Sequence, residues 1–79
     1  MNLSQAITQI KSEVPVDWSK RVVFFEALEA LQEQINIRPE LEKTAMDQLQ
    51  AVLVQHIGVP AFDWQQRIFN FYTNLQKMR

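Results

Sequence analysis

The phrase VPVDWSKRVVFF, Val14–Phe25, returns in altered form as VPAFDWQQRIFNF, Val59–Phe71. Each copy holds a Val-Pro pair, an Asp-Trp pair, an arginine three residues after the tryptophan, and an aromatic-rich run. With the tryptophans aligned, Asp17 falls on Asp63, Trp18 on Trp64, Arg21 on Arg67, Val22 on Ile68, Val23 on Phe69 and Phe25 on Phe71, all 46 residues apart. Upstream, Leu3, Ala6 and Ile7 meet Leu49, Val52 and Leu53 at the same offset. The repeating unit therefore reads as a helix, a proline break, an Asp-Trp start and a second helix. Two such units make two helical hairpins.

The apolar spacing outside the phrase agrees. Leu3, Ala6, Ile7, Ile10 and Val14 recur every three or four residues, which marks one buried face of a helix. Ser4 is its expected cap, and Pro15 ends it because proline lacks an amide proton and disfavours helix in the residue before it. Asp17 is the expected cap of a second helix from Trp18 to about Asn36, with a main stripe of Phe24, Ala27, Leu28, Leu31 and Ile35. Trp18, Val22 and Phe25 add a second apolar stripe, and Glu26, Glu29 and Glu33 form an acidic face.

Pro39 suits the first position of a third helix. Its apolar face is Leu41, Ala45, Leu49, Val52, Leu53 and His56; Gly58 stops it and Pro60 prevents continuation. Asp63 is the expected cap of a fourth helix with a stripe of Trp64, Ile68, Phe71, Leu75 and Met78. Gln66, Asn70, Thr73 and Lys77 lie opposite, and Lys77 and Arg79 complement its negative end. The expected architecture is all-α: a single domain, 1–79, with helices at about 3–14, 18–36, 39–57 and 64–78, packed as two antiparallel hairpins in a compact bundle.

Within the first copy, Asp17, Arg21 and the pair Ala27 and Leu28 resemble the first helix of a HEAT repeat, and the 46-residue period lies in the HEAT range. The second copy departs from the pattern, with Thr73 and Asn74 where Ala-Leu belongs. The resemblance covers about half the chain. It implies stacked antiparallel helix pairs and, by analogy with HEAT arrays, protein binding. A four-helix bundle and a short HEAT-like stack both fit these residues.

Composition narrows the function. The 79 residues are 47% hydrophobic and 22% charged, ordinary for a globular domain near the lower size limit for a self-sufficient core. With no cysteine, neither disulfides nor thiolate metal sites can reinforce it. A formal net charge of −1 argues against a general nucleic-acid binder, which needs a phosphate-neutralising surface. The amino terminus lacks the charged start and apolar run of a signal peptide, and no apolar run could span a bilayer; a soluble, cytoplasmic protein without a membrane role is expected.

Catalytic chemistry has few residues to use. His56 is the only histidine, so no second histidine or cysteine completes a metal or nucleophile site. Glu26, Glu29 and Glu33 share a helix face, but the Glu-x-x-His pairs of di-metal bundles are absent; a solvated face is the expectation, with a basic partner as its functional variant. One glycine rules out a phosphate-binding glycine loop. The chain reads as a non-enzyme with no catalytic, cofactor or metal site.

Two functional readings remain. One is a small protein–protein interaction module, an adaptor, inhibitor or assembly factor, with self-association into a homodimer as a variant. Its candidate contact residues are Phe69, well off the main stripe of the fourth helix, and Tyr72 at the stripe's edge, with Trp18, Val22 and Arg67; packing of these apolar residues into a small core is the alternative. The alternative is a DNA-binding regulator that reads base edges with Gln65, Gln66, Arg67 and Asn70 of the fourth helix.

Overall fold

The computed structural model describes residues 2–77. Four α-helices make up the described chain: α1 (Leu3–Glu13), α2 (Arg21–Ile37), α3 (Glu42–His56) and α4 (Asp63–Lys77). A single 3-10 turn, Pro39–Leu41, leads into α3, and no strand occurs among the described residues. α2 packs against α1 and α3, and α1 meets α4. The four helices thus surround one core in a bundle of 33 × 25 × 19 Å. Met78 and Arg79, assigned from sequence to the end of the fourth helix, lie outside the described residues.

The expected stripe of α1 is its buried face: Leu3, Ala6, Ile7, Ile10 and Val14 are all buried. Phe24, Leu28, Leu31 and Ile35 are the buried face of α2, with Ala27 at its edge. In α3 the face is Ala45, Met46, Leu49 and Leu53, while Leu41, Val52 and His56 are only half-buried. Polar contacts fix the relative height of the first two helices. Gln32 of α2 donates to the Ser4 carbonyl and to Thr8 Oγ1, both at 2.9 Å, and accepts from Lys11 Nζ at 3.0 Å.

Three expected caps differ. Asn2, not Ser4, caps α1: its side chain accepts from the Gln5 amide at 2.9 Å, and the Gln5 side chain accepts from the Asn2 amide at 3.0 Å. This reciprocal pair satisfies two amides, and Ser4 lies two residues further on, already inside the helix. Asp17 does not cap α2, which begins at Arg21 after two tight turns, Trp18 N–H to the Pro15 carbonyl and Arg21 N–H to the Trp18 carbonyl. Asp63 is the first residue of α4 rather than its flanking cap.

The two copies of the repeated phrase therefore start their helices at different points, and the residue aligned with Gln65 explains it. Gln65 accepts from the Ala61 and Phe62 amides, both at 2.9 Å, and donates to the Ile57 carbonyl at 3.2 Å. It clamps the α3–α4 connection and lets α4 begin at once. Its counterpart 46 residues earlier is Ser19, too short to reach back, so the first connection turns twice more before helix forms.

α4 is also rotated from expectation. Its buried residues are Gln65, Ile68, Tyr72 and Leu75, while Trp64 and Phe71 are half-buried at the edge. Tyr72 turns inward because its hydroxyl has partners there: it donates to the Met46 carbonyl at 3.3 Å and accepts from Gln76 Nε2 at 2.9 Å. Burial, and secondarily the charge of Asp47, raises its pKa above the ordinary 10.0. The folded state thus favours the neutral phenol. The associated stability is complete below pH 10.0 and is lost as pH climbs through the raised folded value. Tyr72 is the only tyrosine, so phenolate absorbance should titrate later in the folded chain than in denaturant. Coincident titrations would contradict the buried hydroxyl.

Candidate functional site

Both hairpin connections lie at one end of the bundle, and the tryptophans meet there. Trp18 and Trp64 approach edge-on, with ring centroids 5.0 Å apart and planes at 60°. Trp18 also meets Phe24 at 5.6 Å, and Phe24 meets His56 at 6.0 Å and Phe25 at 6.4 Å. Such tilted contacts set ring edges against ring faces, their favourable arrangement. The repeated Asp-Trp pair thus brings one indole from each hairpin to a shared seam.

The arginines of the two copies have diverged. Arg21 lies over the Phe25 ring, 4.5 Å from Cζ to centroid, and not over Trp18. Its Nε is buried without a hydrogen-bond partner among the described residues, and the attraction of the cation for the ring offsets part of that cost. Arg67 reaches Glu13 of α1 at 3.9 Å and leaves 71% of its side chain exposed. Behind this pair, Gln9, Ile10, Ile68 and Phe71 line a small crevice between α1 and α4.

In and beside the two hairpin connections, apolar side chains stand in solvent. Val16 and Val59 are each 83% exposed, Phe62 65% and Val22 64%. Val16 and Phe62 are equivalent in the two copies, 46 residues apart. Of the five contact residues expected from sequence, Val22 and Arg67 are exposed, Trp18 and Phe69 are half-buried, and Tyr72 is buried. Tyr72 is thus removed as a contact residue by its inward hydrogen bonds, and Phe69 packs against the core. Sequence reading passed over Val16, Val59 and Phe62. The available signal was apolar residues beside Pro15 and Pro60, in connections that ordinarily carry polar ones.

Glu26, Glu29 and Glu33 are exposed as expected, and Glu29 pairs with Lys11 of α1 at 3.6 Å. Among the supposed base readers of α4, Gln65 is buried and fully engaged, and Gln66 donates to Asn70 at 3.2 Å. His56 is half-buried against Phe24. No helix among the described residues is long and apolar enough to cross a membrane. Comparison of the chain with protein-family models, curated proteins and solved structures finds no match.

Proposed function

We propose that this chain is a small non-catalytic interaction module that binds another protein through the end of the bundle where the α1–α2 and α3–α4 connections meet. The observation that carries this is the placement of Val16, Val59 and Phe62 in solvent, in the two hairpin connections that a paired-tryptophan seam fixes. An apolar cluster on a rigid support suits a contact surface, because little order has to be gained on binding. Adaptor, inhibitor and assembly factor are the roles open to such a module, with self-association as its variant.

Phe62→Ser tests it. The side chain is exposed, so the thermal midpoint should shift little, by roughly 0.5 kcal/mol or less in stability. Capture of the tagged protein from nuclease-treated native extract should recover a stoichiometric protein with the parent chain and lose it with the variant. Equal recovery by both would remove this end of the bundle as the contact surface. Recovery of the bait alone would count against a separate protein partner.

A further inference from the structure

A second surface, between α2 and α3, has the form of a helix-binding groove. Val23, Ala30 and Ile37 recur every seven residues along α2, so they stack in one row on its outer side. Val23 is 56% exposed and Ile37 69%. At Ala30 and Ile37 the row borders α3, and together Ala30, Leu31, Gln34 and Ile37 of α2 and Gln48 of α3 line a shallow groove with Glu33 on its wall. The groove continues past Ile37 to Arg38 and Leu41. The adjoining outer positions of α3 are Thr44, Gln48, Ala51 and Gln55, all exposed and uncharged.

Apart from Arg38 at the end of the groove, charge lies on one edge. Glu26 and Glu33 also repeat every seven residues, each three positions after a member of the apolar row. The ion pairs among the described residues are Lys11–Glu29 and Arg67–Glu13, so neither Glu26 nor Glu33 has an ion-pair partner among them. An uncharged floor with an anionic rim is complementary to an amphipathic helix with a cationic flank.

A second copy of the chain is a poor occupant. In an antiparallel two-fold pair centred on Ala30, Val23 of one copy would meet Ile37 of the other, which is favourable. The same symmetry brings the acidic rims together. Glu33 lies three residues after the axis and Glu26 four before it, so Glu33 and the second copy's Glu26 would stand within about 1.5 Å of the same height. Like charges across such an interface oppose association. A parallel pair would turn each rim toward the uncharged side of α3, which offers no cation.

We propose that the α2–α3 groove receives an amphipathic helix of another protein. That helix is aliphatic where it lies on Ala30 and Ile37, and carries lysine or arginine on the edge that meets Glu26 and Glu33. Arg38 at the end of the groove sets the limit of the basic edge. The proposal rests on the protein-binding reading and goes beyond it to a different surface and a partner chemistry.

The test is a selection against the full chain. The probe is a displayed library of helical peptides with a fixed seven-residue aliphatic repeat and randomised flanking positions. Lysine and arginine should be enriched on one flank. An enriched peptide should bind roughly tenfold more weakly to the Glu26→Gln/Glu33→Gln variant, and bind Phe62→Ser as it binds the parent. No enriched peptide, neutral or acidic flanks, or equal binding to the double variant would overturn the proposal. So would a concentration-dependent dimer abolished by Ile37→Glu, which would give the groove to a second copy. Loss of binding in Phe62→Ser alone would place the peptide at the connection end, refuting the groove while sparing the protein-binding reading.

Discussion

Phe24→Ala is expected to remove a large share of the protein's stability. Phe24 is fully buried at the head of α2, in ring contact with Trp18, Phe25 and His56. Truncating such a side chain costs about 3–5 kcal/mol, combining lost burial with the cavity left behind. A domain of this size holds roughly 4–12 kcal/mol in all. No disulfide supplies a reserve, because the chain has no cysteine. The variant should show a sharply lowered denaturant midpoint by circular dichroism. A change below about 1 kcal/mol would mean that the aromatic end repacks around the gap, and that Phe24 is not its centre.

The second large effect is polar in origin. Gln65→Leu keeps bulk at a site only 6% exposed but removes all three hydrogen bonds of the clamp. The Ala61 and Phe62 amides lose their acceptor and the Ile57 carbonyl its donor. Unsatisfied groups in part-buried positions cost about 1–3 kcal/mol each, and water can reach some of them, so a net loss of about 2–4 kcal/mol is expected. Gln65→Glu keeps an acceptor for both amides and should retain more stability than leucine near neutral pH. If leucine were as stable as the parent, the clamp would not hold the connection. Hydrogen exchange at Ala61 and Phe62 locates the effect, since these amides should lose protection first.

The helices were legible because burial imposes a spacing on them. Leu3 to Val14 and Phe24 to Ile35 repeat every three or four residues, and the prolines mark where the pattern must break. What escaped was decided by polar side chains. Tyr72 and Gln65 look like surface residues in a pattern that scores apolar character. Each is buried because a particular backbone group waits for it, the Met46 carbonyl for one and the α3–α4 connection for the other. Once both turn inward, α4 rotates and Phe69 loses its free face. The same limit affected the caps, where Asn2 with Gln5 outcompetes Ser4 through a reciprocal geometry. The exposed set at the connection end was hidden for a different reason. Val16, Val59 and Phe62 lie outside any periodic element, so no stripe assigns them a side.

The meeting of the two indoles also gives the chain an optical gauge of its own assembly. Trp18 and Trp64 are the only tryptophans, they come from different hairpins, and their rings sit 5.0 Å apart at an oblique angle. Chromophores so placed couple their electronic transitions and give a paired circular-dichroism band that vanishes when they separate. Far-UV ellipticity reports helix, whereas this band reports that one half of the chain has docked on the other. If both fade together on heating, the hairpins have no independent existence. If the indole band fades first, each hairpin persists as a unit that the other half completes.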